Sequence, residues 1–473
     1  MDRHAARRAV WALVIAGAAG FMTALDNLVV TTALPSVRAD LGGTPEDLEW
    51  TVSAYTLTYA VLLMPGAALG DRFGRRRLFG LGLLVFTGAS AAAALAPGIG
   101  GLIAARAVQG AGAAVMTPIA LTLLTAATPP ERRGTAFGIW GAVNGLAVAA
   151  GPLVGGGLTE YVSWHWIFWL NVPVGLLLFP LVRLRTAESY APGARLDLRG
   201  TLLVSTGLFG IVFAVVNVNA HGWTGGRVLT GLIAGGLLLV AFVRHCSARE
   251  NSVLPLRLFR NRAFSGVNAA GLLMFFGMFG SIFLLGQFLQ NVGGWTPTEA
   301  GLRMLPWTGM PLLVAPLAGR LADRFGGRIV VVCGLALQAT GLTLYALTVS
   351  VDLPYAAQLP ALIAGGTGMA LYFAPASALV MASVPAAEQG IASGAHSALR
   401  ELGGAFGVAV LGSVFAARGG YGSPQRFVDG IAPALWAGAA GVALAAVAAA
   451  LALRPAPAPA VPEPAADREP AGV

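Results

Sequence analysis

LGDRFGRRR (Leu69–Arg77) and GRLADRFGGR (Gly319–Arg328) carry the same string, DRFG with arginines after it, at two distant places in one chain of 473 residues. Asp and Arg ending a helix at a membrane surface would explain either copy alone. It does not explain their agreement, which reads as an internal repeat. Two equal six-helix halves would place the second copy after the eighth apolar run. It stands after the tenth, so two further spans are expected between the halves, and an even insertion preserves the orientation of the second half. Repeated bundles around a central site are the architecture of secondary transporters that rock between two open states.

Composition puts the repeat in a bilayer. The chain is 56% hydrophobic and 11% charged, with a mean hydropathy of +0.73. Runs of 18 or more mostly apolar residues recur along nearly its whole length, where a membrane barrel would show short alternating segments. Helices are then the spanning structure. The net charge of +9 does not point to nucleic acid, because the 30 basic residues, all Arg, sit in short clusters between apolar runs. With no Lys, the chain carries no ordinary nucleotide-binding P-loop, whose Lys reaches the phosphates, and its energy must come from elsewhere. Cys246 and Cys333 fall near helix ends and read as structural thiols. No nucleophile–base pair or metal-ligand spacing is visible among the His and Cys residues, so neither an enzyme nor a cofactor is expected.

Apolar runs bounded by charge, Pro or Gly place spans near residues 9–34, 50–70, 78–96, 99–126, 135–159, 166–184 and 199–217, and again near 227–245, 263–290, 299–320, 329–350, 355–383, 390–416 and 431–453. The start RRAVWALVIAGAAG (Arg7–Gly20) has the charged and apolar regions of a signal peptide. The apolar run continues to Pro35, however, and reads as an uncleaved first span. With both termini cytoplasmic, 23 Arg fall inside, 5 outside (Arg38, Arg227, Arg303, Arg418, Arg426) and 2 within spans, Arg106 and Arg400. One miscounted span would collapse that asymmetry. The expected fold is therefore all-α integral membrane with fourteen spans: a six-helix bundle over 1–190, two inserted helices over 191–250, a second six-helix bundle over 251–453 and a disordered cytoplasmic tail over 454–473.

Asp26, Arg106, Arg400 and Glu401 are the ionisable acidic or basic groups well inside spans. A lone charge in hydrocarbon is costly, so each should face a partner or a wet cavity. Asp26 lies about 12 Å and Arg106 about 10 Å below the external surface at 1.5 Å per residue. The two can share a depth, and a carboxylate paired with Arg in one state and released in another changes its proton affinity between states. Glu401, about 16 Å into its span, lies close to the midplane.

At this point the chain resembles the major facilitator superfamily, and specifically its fourteen-helix drug:proton antiporters, over all but the tail. Asp71, Arg72, Gly74, Arg75 and Arg76 match the loop motif between spans 2 and 3, with Ala67 where Gly is usual; Asp323, Arg324 and Gly326 repeat it. In the family this loop latches the cytoplasmic side shut. LDNLVVTTALP (Leu25–Pro35) resembles the span 1 motif, with Leu28 for Thr. LIAARAVQGAGAA (Leu102–Ala114) resembles the span 4 motif at Arg106, Gln109, Gly110 and Gly112, and in the family this Arg is associated with proton transfer. GPLVGG (Gly151–Gly156) with Gly138 resembles the span 5 motif of exporters, through Gly151, Pro152, Gly155 and Gly156, departing at Ala147. SWHWIFWLNVPVG (Ser163–Gly175) resembles the entry to span 6, its Trp residues reading as interfacial anchors. LRELGGAFG resembles the span 13 pattern, where Gln often stands at the Glu401 position; Glu401 is a second proton-site candidate.

The resemblance also implies a cavity lined by spans 1, 4, 9 and 12. Span 9 offers Phe275, Phe276, Phe279 and Phe283 with Gln287 and Gln290, and span 12 offers Tyr372 and Phe373. Tyr55 and Tyr59 on span 2 are weaker candidates. Large apolar surfaces with a few polar handles suit amphipathic ligands, although any spanning helix must be apolar. LPWTGMPLLVAPLAG in span 10 has no acidic residue, which disfavours dications as substrates. The implied function is proton-coupled export of small molecules from a bacterial cytoplasm by a single chain in the cell membrane, its partners being substrate, protons and lipid. A metabolite facilitator or importer on the same fold is the second transporter reading. A membrane enzyme or receptor would need a reactive constellation or a soluble domain.

Overall fold

The computed structural model describes residues 3–43, 45–190, 197–249, 252 and 254–453. In chain order the helices are α1 (Arg3–Leu41), α2 (Pro45–Phe73), α3 (Arg75–Ala94), α4 (Ile99–Ala127), α5 (Arg133–Tyr161), α6 (His165–Trp169), α7 (Asn171–Arg185), α8 (Leu198–Val216), α9 (Val218–His221), α10 (Gly226–Ser247), α11 (Arg262–Asn291), α12 (Pro297–Thr308), α13 (Met310–Phe325), α14 (Gly327–Thr348), α15 (Tyr355–Ala382), α16 (Gln389–Arg418) and α17 (Pro424–Ala452). Among the described residues there is no strand. Among the described residues twelve helices are long and apolar enough to cross a membrane, with α6 and α7 counted together. Two further helical rods, α5 and the pair α12–α13, lie outside that twelve. The tail from 454, expected to be disordered, lies outside the described residues.

Local chemistry sets the ends. Asp197 caps α8, Asn261 caps α11 and Ser423 caps α17 through backbone N–H groups that the helix itself leaves free. Thr296 and Glu299 form a reciprocal capping box at α12. The rod expected over 299–320 is broken: α12 stops at Gly309 and α13 restarts with Pro311 in its first turn. Pro311 has no N–H to continue the α12 hydrogen-bond ladder, so the break falls where the ladder loses a donor.

The repeat read in the sequence is also a repeat of packing. In the first half α2 and α3 lie on α4, α1 lies on α5, and α3 meets α7. In the second half α13 and α14 lie on α15, α11 lies on α16, and α14 meets α17. The halves meet through two equivalent seams, α5 on α13 and α16 on α2. The pair α8–α10 packs on itself through glycines: a Cβ on Gly235 would stand 2.8 Å from Gly207 O. On its other side α8 touches both α2 and α16, one helix from each half.

Candidate functional site

Asp26 and Arg106 form a fully buried ion pair between α1 and α4. Asp26 Oδ2 accepts from Arg106 Nη1. The other carboxylate oxygen, Oδ1, accepts from Gln109 Nε2 at 2.8 Å and from Asn171 Nδ2 at 2.9 Å. Ser90 Oγ ties the two amides together, accepting from Gln109 at 3.1 Å and Asn171 at 3.0 Å while donating to Phe168 O. The guanidinium donates from Nε to Thr51 O at 3.1 Å and from Nη1 to Gln109 Oε1 at 2.8 Å, and lies over the Tyr55 ring at 4.3 Å. Four helices (α1, α3, α4, α7) and the α2 backbone thus converge on one polar cluster around this carboxylate. Three donors satisfy most of the lone pairs that an ionised carboxylate presents. Arg106 Nη2 is buried without a hydrogen bond.

The α4 helix can come this close because its motif residues are glycines. A Cβ on Gly110 would stand 2.4 Å from Tyr55 O, and one on Gly112 would stand 2.6 Å from Phe86 N. Any side chain there would push α4 off α2 and α3 and pull Arg106 away from Asp26. Tyr55 stacks on Tyr59 one turn on, with ring centroids 5.9 Å apart. Tyr59 donates to Thr117 Oγ1 at 3.2 Å and lies near both Arg400 and Glu401 of the second half.

In that second half Arg400 Cζ stands 4.2 Å from the Phe275 ring centroid and 5.1 Å from that of Phe373. Phe275 also meets Phe279 and Phe373, with centroids 5.4 and 5.6 Å apart. Tyr372 is buried and donates to Val267 O. Phe276 turns away from this group, its ring beside Gly441 of α17. Phe283 and Gln290 are exposed, and Gln290 bonds to Gly286 O of its own helix. Gln287 accepts from Asn291. The structure therefore gathers Phe275, Phe279, Tyr372 and Phe373 with Arg400, and leaves Phe276, Phe283, Gln287 and Gln290 outside that cluster.

The repeated loop closes the two seams reciprocally at one end of the bundle. Asp71, at the end of α2, pairs with Arg75 at 2.8 Å and lies against the first turn of α16, where a Cβ on Gly390 would stand 2.4 Å from Asp71 Oδ2. Asp323, at the end of α13, accepts from Thr135 Oγ1 at 3.1 Å in the first turn of α5, where a Cβ on Gly134 would stand 2.1 Å from Asp323 Oδ1. Each carboxylate thus meets the positive end of a helix from the opposite half. Gly74 and Gly326 hold φ of +106° and +87°, conformations that residues with a Cβ rarely adopt. Beside the first copy, Glu188 accepts from Arg76 N at 2.9 Å and lies 3.6 Å from both Arg76 and Arg77. Arg72 and Arg324 close their helices as the last-turn basic residues.

On the α5 seam, a Cβ on Gly138 would stand 2.6 Å from Ala315 O, and Gly151 and Gly155 are buried. A Cβ on Gly156 would stand 2.7 Å from Thr298 Oγ1. Helix α5 remains helical through Pro152.

The family model described as the Major Facilitator Superfamily matches residues 16–243 and 267–472. The chain belongs to this superfamily. Its sequence is 37% identical over 407 residues to the multidrug resistance protein Stp of Mycobacterium tuberculosis, covering 86% of this chain and 75% of the relative. It is 34% identical over 426 residues to the tetracenomycin C resistance and export protein of Streptomyces glaucescens, covering 89% and 79%. The solved structure of the human transporter MFSD10 superposes with a TM-score of 0.68 at 13% identity, over 93% of this chain and 99% of that one, and speaks to the fold alone.

Within this major facilitator chain, Asn171, Ser90 and Thr51 were not singled out from the sequence. Asn171 carries a signal, being a polar residue inside the apolar stretch that opens span 6. Ser90 and Thr51 carry none, since a hydroxyl in a membrane helix usually bonds to its own backbone.

Proposed function

We propose that this major facilitator chain is a proton-coupled exporter of small amphipathic drugs or natural products, seated in the cytoplasmic membrane of a bacterium. The observation that carries the reading is the Asp26–Arg106 core, a buried acid on an apolar helix whose donors lie on α4 and α7. The export direction is supported by the kinship with resistance and export proteins and by the α5 glycine motif.

The mechanism we propose runs through α2. This helix presents Thr51 and Tyr55 to Arg106, Tyr59 to the second half and Asp71 to the start of α16. With Asp26 ionised, Arg106 is held to the carboxylate and the α2–α16 seam is latched. A proton on Asp26 removes the charge that Arg106 answers, frees the guanidinium and loosens the grip of α4 on α2. One proton moving down a potential of 100 mV contributes about 2.3 kcal/mol, enough for a gradient of roughly fiftyfold. Glu401, near Tyr59, is a second candidate for a proton in this scheme.

The topology we propose has fourteen spans, with α5 and the α12–α13 rod crossing beside the twelve, both termini cytoplasmic and the α8–α10 pair inserted between two six-helix bundles. The matching packing of the two halves and the bias of Arg to one side support it. The working unit is a single chain that uses no nucleotide.

The test is drug transport in proteoliposomes under an imposed proton gradient. The wild type is expected to transport only with the gradient and to stop with an uncoupler; the Asp26→Asn variant is expected to lose gradient-driven transport. Transport indifferent to the uncoupler would overturn the coupling.

A further inference from the structure

Arg400 is a cation in the membrane interior with no carboxylate at ion-pair distance among the described residues. Among the described residues its guanidinium makes no hydrogen bond and no ion pair, and its Nε is buried and unpartnered. Arg106, the buried arginine of the first half, has Asp26, Gln109 and Thr51. Glu401, the next residue on α16, attracts Arg400 through space but forms no ion pair with it, adjacent helical residues pointing about 100° apart. Instead, Phe275 and Phe373 lie against the guanidinium. A ring over the flat face attracts the cation and leaves the N–H edge free.

A second unpartnered group stands one turn earlier on α16. His396 Nδ1 lies 3.0 Å from Asn268 Oδ1, and Asn268 Nδ2 donates to Phe264 O at 2.8 Å. Asn268 Oδ1 is therefore the acceptor, His396 Nδ1 carries the proton, and His396 Nε2 is left buried without a partner. Arg400, His396 and Tyr372 converge over Gly271: a Cβ there would stand 3.4 Å from Arg400 Cγ, 3.5 Å from His396 Cε1 and 2.7 Å from Tyr372 OH. The cluster borders the seam between the halves, because α16 packs on α2 and α4 and Tyr59 of α2 is near Arg400.

We propose that Arg400 is the charge-recognition residue for the exported substrate, and that the substrate it selects is an anionic aromatic acid, a carboxylate or acidic phenol. Its oxygens accept from the free N–H edge of Arg400, and its ring packs beside Phe275 and Phe373. The guanidinium fork matches the two oxygens of a carboxylate, and such charge-assisted pairs are the strong ones. A cationic ligand of the same shape meets repulsion at that edge. The proposal rests on the exporter reading for its biological meaning and on the Arg400 environment for its chemistry.

The experiment measures binding of two dyes sharing one xanthene ring, anionic fluorescein and cationic rhodamine 6G, to the full chain in nanodiscs without a proton gradient. The wild type is expected to hold fluorescein about tenfold or more tighter than rhodamine 6G, and Arg400→Gln to lose about that factor for fluorescein while rhodamine 6G stays within about twofold. Arg400→Lys keeps the charge without the fork and is expected to retain part of the preference. A wild type that shows no preference for fluorescein, an Arg400→Gln variant that binds fluorescein unchanged, or one that weakens both dyes equally would each overturn the assignment. Gradient-driven transport of the same dyes separates the two readings. Anion-selective binding without coupled transport defeats the exporter reading and leaves the site standing; coupled transport of rhodamine 6G with no bound fluorescein does the reverse.

Discussion

Asp26 accepts from Arg106 and Gln109 on α4 and from Asn171 on α7, so neutralising it and deleting it have different consequences. Asp26→Asn keeps the volume and a polar head; we expect a folded protein without proton coupling. Asp26→Ala leaves Arg106 charged, buried and unanswered, and thermal unfolding is expected to show a loss of about 3–5 kcal/mol, because breaking a buried pair strands the remaining charge. Removing both charges with Asp26→Ala and Arg106→Met should recover a large part of that loss; a double variant no more stable than Asp26→Ala would argue against the pair as its cause. Asn171→Ala removes one donor to the carboxylate, with an expected loss of about 1–3 kcal/mol in the same measurement. The charged pair itself was legible from residue type and depth. Of its amide partners, Gln109 was named only as a motif residue and Asn171 not at all, because Asn171 is 145 positions from Asp26 and neither local spacing nor periodicity links them.

At the scale of the element, the two seams depend on backbones that approach closely. A Cβ on Gly145 would stand 2.1 Å from Pro311 Cβ and one on Gly134 would meet the Asp323 carboxylate, whereas nothing lies within 4 Å of a Cβ on Gly157. We expect Gly145→Val and Gly134→Val to abolish transport by holding α5 off α13, and Gly157→Ala in the same helix to transport normally and gain up to about 1 kcal/mol of stability from helix propensity. Equal transport by all three would mean that the α5–α13 seam does not close during the cycle. On the other seam, Asp71→Asn should shift the population toward the cytoplasm-open state, read as a longer spin-label distance between the ends of α2 and α16. The glycine-rich character of α5 was legible and pointed to close packing. Which helix it packs on was not, since any small-residue stripe fits several neighbours. The break at Gly309 follows from Pro311, yet an apolar run through that point conceals it.

For the whole molecule, the topology makes a parity prediction. In a chain whose own cysteines are replaced, a cysteine at His221 or Ser350 should react with a membrane-impermeant thiol reagent from outside intact cells, and one at Arg249 only after permeabilisation. All three positions are exposed. If α5 failed to cross, His221 would change sides; if the α12–α13 rod alone failed, Ser350 would.

The helical membrane architecture follows from the linear chain, because hydropathy acts over one span at a time; the direction of the spans and the insertion between the halves are proposed from Arg placement and the repeated DRFG loop. Asp26 and Arg106 were visible for the same reason: a charge inside an apolar run declares itself. That Ser90, Gln109 and Asn171 close around Asp26, that each loop aspartate meets a helix of the other half, and that Arg400 lies against two aromatic rings without an ion pair among the described residues are matters of folding. Each depends on which faces of distant helices meet, and small changes in helix rotation and packing distance decide that. In a bilayer, where apolar side chains gain little by choosing one neighbour over another, those choices fall to glycine contacts and buried polar groups spread along the whole chain.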